Sequence, residues 1–189
     1  MATESIRTRR KFAGEWDEIK YLYDKLLFWL YERDDRRKSR PICDRLEPLL
    51  KKVAAKGEAI LGEECWSLVY EVRREFGKAI QHRRREIELI TRLLRGAERA
   101  PNRESIFRLC DYSDLSDRYD LLAILYHDAG DLDRAIETLR ESKRLCKKHR
   151  IEFDAQDILD DYLAEKPSRP MPLIQSPTVE SVSRQRSAS

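Results

Sequence analysis

Three histidines and four cysteines are the residues of this chain best suited to metal or nucleophilic chemistry. Cys146 and His149 stand three apart, on one side of a helix near its end. Two ligands of a zinc ion can sit so, but a closed site takes four, as a rule from two close pairs. Cys110 and His127 are the only further candidates, and they are not a pair. A core thiol beside a solvent-facing imidazole explains the same spacing with fewer demands. Covalent catalysis needs a nucleophile, a positioned base and oxyanion donors. None of His82, His127 and His149 lies in a nucleophile motif, and no glycine-rich phosphate loop is present. Asp160 and Asp161 are adjacent, so on a helix they point apart and read as a solvated face. The expectation is a protein that is not an enzyme and needs no metal or cofactor.

Two groups of charges offer binding chemistry instead. Arg83, Arg84, Arg85, Arg92 and Arg95, followed by Arg99 and Arg103, crowd one region. Guanidinium groups repeated along a helix neutralise phosphates, which makes the first five a candidate nucleic-acid contact. Against this, Glu86, Glu88 and Glu98 are spaced to pair with them across helical turns. No aromatic stands among them to stack on bases. The second group is acidic: Asp111, Asp114, Asp117, Asp120, Asp128, Asp131 and Asp133, with Arg118 as the only base. Such a field favours a basic partner segment. Helix capping and solubility are the competing explanation.

The elements that must hold these residues are helical. The chain has 189 residues, enough for one domain, with 41% apolar and 39% charged residues and only six glycines. Charge-rich, glycine-poor chains with a period near 3.6 are all-α. An antiparallel stack of six to seven helices is expected, and no alternating strand pattern competes with it. The net charge of +3 belongs to the ends: Arg7, Arg9, Arg10 and Lys11 face only Glu4, and Arg169, Arg184 and Arg186 face only Glu180. The body between is slightly acidic, which weakens a whole-domain nucleic-acid reading. Residues 1–12 read as a basic flexible arm, 13–166 as a single helical domain, and the Pro/Ser-rich 167–189 as a disordered tail. The cysteines are scattered through apolar helical patterns without a CxxC pair, which suits reduced thiols and a cytoplasmic setting. The basic N-terminus has no apolar run after it, unlike a signal peptide. The longest apolar cluster, Leu26 to Tyr31, is too short to span a bilayer.

In order, a helix is expected from about Gly14 to Arg33, with Trp16, Ile19, Tyr23, Leu26 and Leu30 as its seam. Leu22, Leu27 and Trp29 widen its apolar surface, so it touches more than one neighbour. A charged break at Asp34–Lys38 precedes a second helix opened by Ser39 and Pro41. Pro48 either kinks this helix or moves its start to about Glu47. Gly57 and Gly62 bracket the next joint. Residues 63–95 read as one long helix bent at Gly77, or as two helices. A short helix around Ser105–Tyr112 leads into a hairpin, and Phe153, Ile158, Leu159, Tyr162 and Leu163 mark a final helix.

That hairpin, Ser116 to Cys146, carries the one nameable pattern. Tyr119, Leu122, Ala123 and Tyr126 precede Gly130, and Ala135 and Leu139 follow it. Ser142 stands at a small-residue position, while Lys147 replaces a closing proline. The pattern resembles about one tetratricopeptide repeat. Helix pairs begin near residues 14, 63 and 116, wider than the family's period of about 34, and moving the pattern upstream by that period fails. The resemblance implies a stack of helix pairs in which the first helix of each lines a groove. It places Asp117, Asp120, Ile124, His127 and Asp128 on that groove. Family members that grip C-terminal carboxylates use Lys and Asn there, where this chain has Asp120 and Ile124, so a different ligand is implied. The expected function is a non-catalytic protein–protein interaction module, an adaptor or scaffold, whose partner is a protein or a basic peptide. The alternatives are a nucleic-acid-associated regulator using residues 83–103, and a structural homo-oligomer built on the first helix.

Overall fold

A computed structural model describes residues 12–53, 59–101, 104, 107 and 110–166. These residues are helical with no strand among them, and the helices form a packed stack. The helices are α1 (Glu15–Leu27, prolonged by a π-helical turn Phe28–Glu32), α2 (Arg36–Val53), α3 (Ala59–Val72), α4 (Phe76–Ala97), α5 (Tyr112–Asp128), α6 (Leu132–His149) and α7 (Gln156–Glu165). The expected arm 1–11 and tail 167–189 lie outside the described residues. Of the short helix expected at 105–112, Phe107 is helical, whereas Tyr112 already belongs to α5.

The apolar period of each helix is answered by its burial. Ile19, Leu22, Leu26 and Leu30 of α1 and its π turn pack with Cys43, Leu46, Leu50 and Val53 of α2 and with Cys65, Leu68, Val69 and Val72 of α3. A second core joins Ile87, Ile90 and Leu94 of α4 to α5, α6 and α7. Ala123 and Ala135 have no exposed surface, in keeping with a close approach of α5 and α6. Leu93 and Leu163, in phase with their helices' apolar pattern, nevertheless remain 37% and 39% exposed.

Several boundaries differ from the sequence reading, each for a local reason. The α2 helix starts at Arg36, because Asp35 caps it through the Lys38 amide at 3.1 Å. Ser39 is therefore inside the helix and fully buried. The helix runs through Pro48 without a new start at Glu47. Gly62 lies within α3 rather than in a joint. Residues 63–95 are two helices, broken at Arg73–Glu75 and not at Gly77. Arg74 takes a left-handed conformation (φ 60°), so that its amide reaches Glu71 O and the Glu75 amide reaches Tyr70 O, both at 2.9 Å. That pair of bonds is a Schellman closure, usually the work of glycine. Gly130 makes the same closure after α5 (φ 81°). The α5 helix begins before Ser116, because Asp111 and Asp114 form a reciprocal capping box.

Candidate functional site

The first helices of successive pairs, α1, α3, α5 and α7, are joined side chain to side chain. Tyr23 of α1 donates to Glu64 Oε1 of α3 at 2.6 Å. Tyr31, on the π turn, donates to Glu71 Oε2 of α3 at 2.9 Å. Arg118 of α5 pairs with the same Glu64 at 3.0 Å. On the far side His127 of α5 stacks flat on Tyr162 of α7, centroids 4.3 Å apart, and its Nε2 lies 2.9 Å from Glu165. A single face thus crosses the four first helices, with polar contacts as its rungs.

Beneath that face lies a buried charge network. Arg83 and Glu86 of α4 are both without exposed surface and are bonded at 2.6 Å. Glu86 also accepts from Arg118 Nε at 2.6 Å. Arg83 Nε has no partner among the described residues. Glu64 and Glu71 are 7% and 5% exposed, and the Glu71 carbonyl accepts from Arg36 of α2 at 3.2 Å. Burial pushes the Glu86 carboxyl up to about 7, with Glu64 adding to the rise while Arg83 and Arg118 oppose it. Burial likewise raises Glu71, against the Tyr31 hydrogen bond and Arg83. The network occupies the seam between the two cores, and Arg83 and Glu86 have no exposed surface, so breaking one member leaves a buried charge uncompensated.

The acidic residues implied by the resemblance separate into different environments. Asp117 and Asp128 are exposed, and the half-buried Leu121 and Ile124 stand between them at the same helical phase. Asp117 has no ion pair among the described residues, and burial and then nearby Asp114 and Asp154 raise its carboxyl above the usual range. Asp120 is turned aside. Its Oδ1 is buried without a partner, and burial pushes its carboxyl up to about 6, opposed by Ser142 on α6. His127 is engaged by α7, as described above. The structure thus brings Asp117, Ile124 and Asp128 onto one open face and takes Asp120 and His127 into helix contacts.

The arginines are similarly divided. Arg83 is inside the fold and out of reach of a phosphate backbone. Arg92 is paired with Glu88 of its own helix. Arg84, Arg85 and Arg95 are exposed and make no ion pair among the described residues. The wide apolar surface of α1 is partly spent within the fold, for Leu22 and Leu26 are buried and Trp29 lies under the Lys38 ammonium at 3.9 Å.

Each histidine is stacked on a tyrosine. His82 lies 5.4 Å from Tyr70 and His149 lies 3.4 Å from Tyr112. His82 also meets Glu63 at 2.6 Å, and Trp66 completes a surface trio with Tyr70. Cys146 is buried, 3.0 Å from the Ser116 hydroxyl, which also meets Ser142 at 2.8 Å. No group of three or more metal-ligating side chains gathers among the described residues. All four cysteines are free thiols, and burial raises those of Cys43, Cys65 and Cys110. No helix among the described residues is long and apolar enough to cross a membrane.

Sequence reasoning missed the buried network. Tyr23, Glu64, Glu86 and Arg118 are far apart in the chain, and no local motif marks charged residues that a fold will turn inward. The one available signal was phase: Arg83 and Glu86 share a helical side with Ile87, Ile90 and Leu94. No protein-family model matches the chain, and no curated protein and no solved structure matches it either.

Proposed function

We propose that this chain is a non-catalytic protein-interaction module, a tetratricopeptide-like adaptor or scaffold, that receives a basic polypeptide segment on the face of its first helices. One observation carries the reading: α5 presents Asp117 and Asp128 to solvent with Leu121 and Ile124 between them. A row of carboxylates flanking partly exposed apolar side chains suits a segment that alternates basic and apolar residues. Exposed charge sets encounter rate and partner choice, and apolar contact sets residence time. The carboxylates below, Glu64 and Glu86, are paired with Arg118 and Arg83, which leaves Asp117, without an ion pair among the described residues, and Asp128, 4.0 Å from His127, as the carboxylates that α5 offers at its surface. The reading places the module in the cytoplasm, in accord with its unpaired cysteines.

The test is affinity capture with the full chain, comparing wild type with Asp117→Lys and Asp128→Lys. Partners should be lost in both variants, and capture by wild type should weaken as salt rises past the screening length of about 8 Å at physiological strength. Asp117 lies near the start of α5, where a positive charge opposes the helix dipole by roughly 0.3–1 kcal/mol, so circular dichroism accompanies it. Asp128, at the other end, is free of that effect. Retention of the same partners at unchanged affinity by both variants would reduce this face to a solubilising surface.

A further inference from the structure

On a different side of the molecule, α4, α5 and α6 meet around a groove of about 470 Å³. That volume falls within the range of small-molecule sites, roughly 300–1,000 Å³. Ile87 of α4 and Leu122 of α5, 7% and 5% exposed, show a small apolar area in a mostly polar lining, with Tyr119 and Tyr126 beside them. Neither tyrosine hydroxyl makes a hydrogen bond among the described residues, although both residues line the groove. Arg84 enters from α4 with no ion pair among the described residues. Arg134 enters from α6, its Nε 3.4 Å from Asp131 and its guanidinium 5.8 Å from the Tyr126 ring centroid.

The carboxylates of the groove are already answered. Glu137 pairs with Arg144 at 2.8 Å and with Arg140 at 3.8 Å, and Glu141 lies 3.9 Å from Arg144. Of its donors, Arg134 is paired with Asp131, while Arg84 has no ion pair and the Tyr119 and Tyr126 hydroxyls no hydrogen bond among the described residues. Donors without partners beside a small apolar area select a ligand with an oxyanion at one end and a flat apolar body at the other. Guanidinium groups bind such anions in the fork geometry that suits carboxylate and phosphate.

We propose that the α4–α5–α6 groove is a binding site for a small aryl oxyanion, a carboxylate or phosphate carried on a flat ring, held by Arg84 and Arg134 with the ring on Ile87 and Leu122. The site is independent of the acidic face of α5, so a small ligand and a polypeptide partner occupy separate surfaces.

The test is a titration of the full chain followed by amide NMR, with benzoate and phenyl phosphate as probes. Inorganic phosphate and benzyl alcohol supply the anion and the ring separately. Both aryl anions should shift the amides of Arg84, Ile87, Leu122, Arg134 and Thr138 and saturate at about millimolar concentration, as ligands of this size do. The separate halves should bind at least about tenfold more weakly. The tighter of the two aryl anions identifies the charged group. Arg84→Ala, at an exposed position, should weaken binding about tenfold, and Tyr126→Phe should weaken it less. Arg85→Ala, one residue along and outside the groove, should leave it unchanged. Three results overturn the assignment: no saturable shift at these amides, equal loss from Arg84→Ala and Arg85→Ala, or benzyl alcohol binding as tightly as benzoate.

Discussion

Arg118 and Glu86 meet at 2.6 Å across the seam between the two hydrophobic cores. Arg118 reaches onward to Glu64, so one guanidinium ties α5 to both helices of the preceding pair. Removing it leaves two buried carboxylates facing one another with Arg83 alone to balance them. Arg118→Leu should therefore destabilise the fold by about 3–5 kcal/mol, the usual consequence of stranding a buried charge. Urea denaturation reads the loss directly. Arg118→Leu combined with Glu86→Leu should cost less than the sum of the two single changes. Additive losses would mean that the two side chains do not interact.

Stability should fall as pH rises through the range where Glu86 ionises. Its carboxyl is raised to about 7 by burial, and that of Asp120 to about 6. Both bind a proton more tightly in the folded chain than in the unfolded one, where carboxylates titrate near 4. Their contribution is largest while they remain protonated, and it is lost between about pH 4.5 and 7. For Glu86 the loss is up to roughly 3 kcal/mol. Unfolding free energies at about pH 5 and pH 7.5 should show the decline, and Glu86→Gln should flatten most of it. An unchanged slope in that variant would assign the effect to other groups.

Arg74 and Arg150 hold left-handed conformations, φ 60° and 59°, at the ends of α3 and α6. Both are exposed, and a side chain in this region is strained where glycine is not. Arg74→Gly and Arg150→Gly should each stabilise the fold by up to about 1 kcal/mol, an increase in thermal midpoint of a few degrees. Arg74→Ala is the control, since it removes the side chain and keeps the strain. Equal effects of Gly and Ala at position 74 would trace the gain to charge rather than to backbone conformation.

Helix number and the inward face of each helix were legible, because a run such as Leu46, Leu50 and Val53 can be satisfied only by a helix with one buried side. The break after α3 was not. Its stop residue is Arg74 rather than glycine, while Gly77 looks like punctuation and sits harmlessly in the first turn of α4. The acidic face was half legible. Asp117 and Asp128 share a helical phase and share an open surface, but Asp120 is off that phase and its Oδ1 is buried without a partner, a burial that only the packing of α5 on other helices produces. Arg83 shows the same limit: among six neighbouring arginines it reads as part of a basic surface, and only its buried partner Glu86 removes it from that surface.

The rungs between the first helices have a mechanical meaning. The backbones of α1 and α3, of α3 and α5, and of α5 and α7 barely approach one another, while each packs closely on its sequence neighbours. Hydroxyl-to-carboxylate, guanidinium-to-carboxylate and ring-to-ring contacts span those gaps. A side chain that bridges a gap can swing about its torsions without repacking a core. Tyr31, 43% exposed, and His127 bridge from the surface in this way, whereas Arg118 is held by both Glu64 and Glu86, so the stack is fastened most firmly between α3 and α5 and least firmly at its two ends.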